Sequence, residues 1–218
     1  MSESRHDISQ FPQQLRTENI VKTVTWTDEG NGPFGALLES SMRPATAIFL
    51  DQRLTDSHIQ VFFDNAISVL LQMQPQELRR AYEGLINEQK LHDNLVPSGI
   101  PANSRFKVYL GIAIGSLYMN QARRTAAYAE KMFDAAMSTF EDIVKTCSTV
   151  AVVDCMLYLI VYSTLTMPAQ STWHLISLAM RLAVSAGSHK SLDAEHGISQ
   201  SDISHSRNLF WSLYHLDR

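Results

Sequence analysis

The stretch Leu175-Ile-Ser-Leu-Ala-Met-Arg-Leu-Ala-Val-Ser-Ala-Gly187 decides the fold. Leu175, Leu178, Ala179, Leu182, Ala183 and Ala186 fall at 0, 3, 4, 7, 8 and 11, which is one face of a 3.6-residue helix. Gly187 then stands where a left-handed C-terminal cap belongs. Upstream, Ala129, Met132, Phe133, Ala136, Phe140, Ile143 and Val144 repeat the pattern. Successive segments that each offer one apolar face, joined by short loops, predict antiparallel helix pairs.

Working outward, the periodicity predicts helices over 106–118, 124–145, 149–165 and 171–186, and a last one running from about residue 201. Ile59, Phe62, Phe63, Ala66, Val69 and Leu70 share a face after Thr55 and Asp56, which stand where an N-cap would. Pro75 ends that helix or opens the next, which continues over 77–91, and Val96-Pro-Ser-Gly-Ile-Pro101 reads as a linker. The one strand-like run is Ile20-Val-Lys-Thr-Val-Thr-Trp26. The expected fold class is therefore all-α, an irregular bundle of antiparallel helix pairs with at most one short N-terminal strand. The expected organisation is a disordered tail over 1–18, an N-terminal helical part with a Gly/Pro-rich loop over 19–100, and a helical core over 101–218.

Composition narrows the function classes. The 218 residues carry 18 Lys plus Arg against 22 Asp plus Glu, a net charge of −4 with no strongly basic run, so a free-standing reader of phosphate backbones is not expected. Two cysteines, Cys147 and Cys155, are too few for a zinc cluster, and on one helix they would lie about 12 Å apart, too far for a bridge. Reduced thiols are expected. The N-terminus lacks the apolar core of a signal peptide, and the greasiest runs, 108–119 and 155–162, fall short of a bilayer span. No membrane partner is expected.

Three motifs invite chemistry. Gly30-Asn-Gly-Pro-Phe-Gly35 matches G-x-G-x-x-G after a possible strand, with Asp51 downstream as a dinucleotide fold requires. Thr27, Asp28 and Glu29 separate strand from glycine, their carboxylates would flank a pyrophosphate, and no second strand follows, so a glycine loop is the better reading. Gly111 and Gly115 form G-x-x-x-G within an apolar helix, which predicts close helix packing. Eight histidines suggest metal, but none are paired at the i, i+4 spacing of H-E-x-x-H. With no nucleophile elbow, P-loop or acidic metal cluster, catalytic, cofactor-binding and metal residues are all read as none.

The C-terminal third carries a resemblance. Ser171 to Lys190, with its Trp173, Arg181, Gly187 and His189, resembles the "aW-x-x-x-G-x-A-x-R-x-A-x-x-L-G-L-H-r" segment of the fungal-specific transcription factor domain, the middle homology region of fungal zinc-cluster transcription factors. Arg207-Asn-Leu-Phe-Trp-Ser-Leu-Tyr-His-Leu-Asp-Arg218 resembles that family's "R-R-x-F-W-x-l-y-x-l-D-R" segment, placing its signature on Arg207, Phe210, Trp211, Asp217 and Arg218. Ser177 and Ser188 replace a usual glycine and leucine, the basic run thins to His205, Ser206 and Arg207, and no six-cysteine cluster or "hP-x-F-P" step is present. The family's domain continues beyond Asp217-Arg218, so a fragment, a truncated product or a stand-alone relative is expected.

The resemblance implies a nuclear regulatory domain that controls transcription through the transcription machinery, a second copy of itself or a small-molecule effector. DNA and zinc enter only through full-length relatives. The competing expectations are a small helical enzyme or ligand-binding protein with a pocket between helix pairs, and a helical-repeat scaffold. On physical grounds Trp173 and Trp211 are expected as core anchors, Gly187 as a helix stop, and Arg181 as the partner of a carboxylate or helix end. Leu209, Leu213 and Leu216, widened by Phe210 and Tyr214, predict a last helix left partly uncovered and prone to self-association.

Overall fold

A computed structural model describes residues 50–65, 75–90, 99–119, 122–166, 169–190 and 199–218. The strand-like run at 20–26, the glycine loop at 30–35 and the tail at 1–18 lie outside the described residues. Every regular element within them is a helix: α1 Gln52–Asn65, α2 Pro75–Lys90, α3 Ala102–Tyr118, α4 Ala122–Met137, α5 Phe140–Thr146, α6 Thr149–Thr166, α7 Ala169–Ser185 and α8 Gln200–Asp217. The all-α expectation holds.

α3 is the centre. It packs most heavily on α4 and α1, and also meets α2, α5 and α6. α6 carries the packing onward to α7, and α8 closes against α7 and α6. One apolar core runs continuously from Leu50 through Phe62, Phe106, Met132 and Leu159 to Leu213. Rings stack within it, Phe62 on Tyr158 at 5.9 Å and Phe133 on Tyr162 at 4.6 Å, tying α1 and α4 to α6.

The glycine pair does what its spacing predicts. A β-carbon on Gly115 would fall 1.9 Å from the His58 carbonyl oxygen, and one on Gly111 would meet Ile59 Cδ1 at 3.2 Å. The backbones of α1 and α3 therefore touch at Gly115, a distance that only a residue without a side chain permits. α6 is long and apolar enough to cross a membrane by length and composition, with a mean hydropathy of 1.7, but 67% of it is buried among the other helices. That is the signature of a core helix.

Two local expectations need correction. α1 is capped by Asp51, not by Thr55 or Asp56: the amides of Arg53 and Leu54 donate to Asp51 Oδ1 at 3.0 and 3.4 Å. Thr55 is buried one turn in, its hydroxyl donating to the Asp51 carbonyl at 2.5 Å. The continuous helix expected over 124–145 breaks at Ser138 and Thr139, whose hydroxyls donate back to the Ala135 and Ala136 carbonyls at 2.8 Å each. These side chains compete with the main-chain ladder, and the turn resets the phase so that Phe140 and Ile143 still face inward.

Candidate functional site

Four helices begin around one cavity of about 500 Å³. Glu77 and Leu78 of α2, Asn103 and Ser104 of α3, Val150 and Ala151 of α6, and Ser201 and Asp202 of α8 line it, all within the first turns of their helices. Each helix start carries roughly half a positive charge and amides that the helix itself does not pair. Two of the four are answered by charge. Glu77 lies in the first turn of α2, and Asp202 lies in that of α8, where its amide donates to Ser199 Oγ at 3.1 Å and its carboxylate accepts from the same hydroxyl at 2.7 Å. α3 and α6 have no acidic residue in their first turns and are answered only by neutral groups, the Ser104 amide donating to Asn103 Oδ1 at 2.9 Å and the Ala151 amide to Ser148 Oγ at 3.3 Å.

The floor is ionic. Lys107 Nζ donates to Asp154 Oδ2 at 2.8 Å, with His205 Nε2 4.0 Å from the same oxygen. Burial on its own would lower the Lys107 pKa, but the adjacent Asp154 carboxylate outweighs it and the ammonium is held above its ordinary value. Two polar atoms here lack any partner among the described residues, Asp154 Oδ1 and the Tyr158 hydroxyl, on residues only 5% and 1% exposed. Burial pushes the Tyr158 hydroxyl well above the ordinary tyrosine value, so it stays protonated. Unmet buried polar atoms cost about 1–3 kcal/mol each, so both call for a ligand or water.

The sequence reading missed all four of these residues. The available signal was a lone acid in an apolar helix, Asp154 among Val152 to Ser163, and a lone lysine between Phe106 and Val108. A charge on an otherwise buried helix requires a buried partner. Which lysine it meets, 47 residues away, is a tertiary fact.

None of the signature residues of the resemblance lines this cavity, although Ala186 and Ser206, next to Gly187 and Arg207, do. Gly187 has φ of +78°, and the Ser188 amide reaches the Ala183 carbonyl while its own reaches Val184, both at 3.0 Å, a Schellman stop to α7. Ser206 then donates to Ser188 Oγ at 2.8 Å, fastening that stop to α8. His189 lies 6.1 Å from the half-buried Phe210 ring. Trp173 and Trp211 are not core anchors: they are 57% and 49% exposed. Each sits two positions, about 200° of helix, from an inward leucine, Leu175 and Leu209 respectively.

The remaining expectations shift accordingly. Arg181 pairs with no carboxylate among the described residues; its Nε donates to the Ser177 carbonyl of its own helix at 3.3 Å. Arg207 and Asp217 are exposed, and Arg218 donates to the Tyr214 hydroxyl while its guanidinium covers that ring at 5.0 Å. The leucine stripe of α8 is covered, with Leu209 and Leu213 buried and Leu216 packed on the core. What α8 leaves outside is Trp211, edge-on to Phe210 and Tyr214.

No group of three or more His, Cys, Asp or Glu side chains able to hold a metal ion occurs among the described residues. Cys147 and Cys155 are free thiols, and burial raises the Cys155 pKa far out of the reactive range.

Comparison with known proteins agrees with the sequence resemblance. Protein STB5 of Saccharomyces cerevisiae is 24% identical over 175 residues, covering 78% of this chain and 23% of that protein. The protein called negative regulator of pleiotropic drug resistance STB5 in Candida glabrata is 26% identical over 125 residues, covering 55% of this chain and 12% of its own length. The chain thus spans less than a quarter of the length of these curated relatives. No solved structure gives a significant match. The fungal specific transcription factor domain matches residues 59–218, from the middle of α1 to the end of α8, and the chain belongs to that family.

Proposed function

We propose that this chain is the regulatory domain of a fungal transcription regulator, working in the nucleus by binding other molecules and not by catalysis. The observation that carries the reading is the family match over 59–218, supported by two relatives of which one is named as a negative regulator. The helical scaffold suits the role. It holds a continuous core, a polar cavity at the meeting of four helix starts, and an exposed tryptophan on each of α7 and α8. Zinc and DNA contact belong to other parts of full-length relatives, and control of drug-resistance genes, taken from the Candida glabrata name, is the finer reading. Partners are proteins of the transcription machinery or a second copy, meeting the face that carries Trp173 and Trp211.

The test is a fusion of the 218-residue chain to an unrelated DNA-binding domain at a reporter promoter in yeast. A severalfold change in output relative to the DNA-binding domain alone is expected, reduced by the double change Trp173→Ser and Trp211→Ser. Output equal to that of the DNA-binding domain alone, from a fusion shown to be nuclear and intact, overturns the reading.

A further inference from the structure

The cavity at the four helix starts has unmet chemistry of both signs. Asp154 Oδ1 is an acceptor without a donor among the described residues, on a carboxylate whose other oxygen already holds Lys107. A carboxylate has lone pairs for a second cation, and Glu77 adds a further negative charge to the wall. On the other side, the starts of α3 and α6 bring positive ends with no acidic residue of their own, their amides answered only in part by Asn103 Oδ1 and Ser148 Oγ, and the Tyr158 hydroxyl lacks a partner among the described residues. A simple anion would meet Asp154, Glu77 and Asp202; a simple cation would meet Lys107 and the two helix ends. Neither satisfies the whole wall.

We propose that this cavity binds a small zwitterion, an α-amino acid with an apolar side chain. Its ammonium lies on Asp154 Oδ1 and Glu77, and its carboxylate on the starts of α3 and α6 with the Tyr158 hydroxyl as a further donor. Leu78, Val150 and Ile203 supply the apolar part of the wall, and about 500 Å³ is within the range of small-ligand pockets. Because α2, α3, α6 and α8 each contribute a first turn, occupancy would brace four helices at once. That bracing is the effector signal, a consequence that rests on the regulatory reading; the binding itself does not.

The experiment is titration calorimetry on the 218-residue chain with three probes of one shape: phenylalanine, phenethylamine, which lacks the carboxylate, and hydrocinnamate, which lacks the ammonium. Phenylalanine is expected to bind about tenfold or more tightly than either, a difference of about 1.4 kcal/mol or more. Asp154→Asn abolishes the preference for an ammonium. Tyr158→Phe removes only an unpartnered hydroxyl, so it leaves the circular dichroism spectrum unchanged and weakens phenylalanine severalfold. Absence of heat with phenylalanine at millimolar concentration, equal binding of all three probes, or unchanged affinity in Tyr158→Phe overturns the proposal and leaves ordered water as the partner of these atoms. Since no transcription is read, its failure stays separate from that of the reporter fusion.

Discussion

The centre of the molecule and its C-terminal hairpin are built from helices of nearly equal length and opposite design. α3 buries nine of its residues and α6 buries twelve, whereas α8 buries four, so the first two are enclosed on all sides and the last is packed along one stripe. In an enclosed helix every position has a neighbour, and a substitution is felt wherever it falls. In a striped helix the effect depends on phase. Trp211 lies outside although Leu209 and Leu213, two positions to either side, are almost wholly buried. Burial in the centre therefore takes in polar residues such as Asp154 and Ser163 along with the apolar ones, whereas in the hairpin the helix phase leaves even a tryptophan outside.

The largest expected effect tests whether the centre is truly closed. Asp154→Ala leaves the Lys107 ammonium buried without its counter-ion and is expected to cost about 3–5 kcal/mol, read by urea denaturation. A cost below about 1 kcal/mol would mean that water reaches Lys107 freely and that the centre is less dry than its burial implies.

The two structural glycines sharpen the same contrast. Gly115→Val forces α1 off α3, since even a β-carbon collides with the His58 carbonyl, and about 3 kcal/mol is expected. Gly187→Ala meets no neighbour within 4 Å and suffers only the left-handed backbone penalty, about 1 kcal/mol. Thermal unfolding of the two variants side by side gives the ranking, and a reversal would place the tighter constraint in the hairpin.

A smaller effect is expected from pH. His58 is buried with Nδ1 unpartnered among the described residues, and burial lowers its pKa from 6.5. Below that value the unfolded chain takes up a proton that the folded chain resists, so unfolding gains. The stability His58 contributes is complete above pH 6.5 and is lost as the pH falls toward its lower folded value. Melting temperatures measured downward from pH 7.5 should show this slope in the native chain and a shallower one in His58→Gln. Equal slopes would remove His58 as the cause.

The smallest effect on stability belongs to the outer face. Trp211→Ser is expected to change stability by about 0.5 kcal/mol or less while reducing any self-association seen by light scattering after size exclusion. Leu213→Asp, at a fully buried position, is expected to unfold the hairpin instead. If the two variants behave alike, the division between inner stripe and outer face fails.

The sequence determined a good deal by itself. The inward stripe of α7, the stop at Gly187 and the close approach at Gly111 and Gly115 follow from local periodicity and from what a missing β-carbon allows, and the family signature is a linear pattern that the match over 59–218 bears out. Tertiary structure alone decided the outward tryptophans and the meeting of Lys107, Asp154, His205 and Tyr158, whereas the cap at Asp51 and the break at Ser138 and Thr139 are local bonds that apolar periodicity does not register. The physical reason is one of range. A helix face or a backbone stop depends on residues within one or two turns, but a tryptophan's burial depends on which neighbour covers its side of the helix, and a buried carboxylate needs a counter-ion that the chain supplies from 47 residues away.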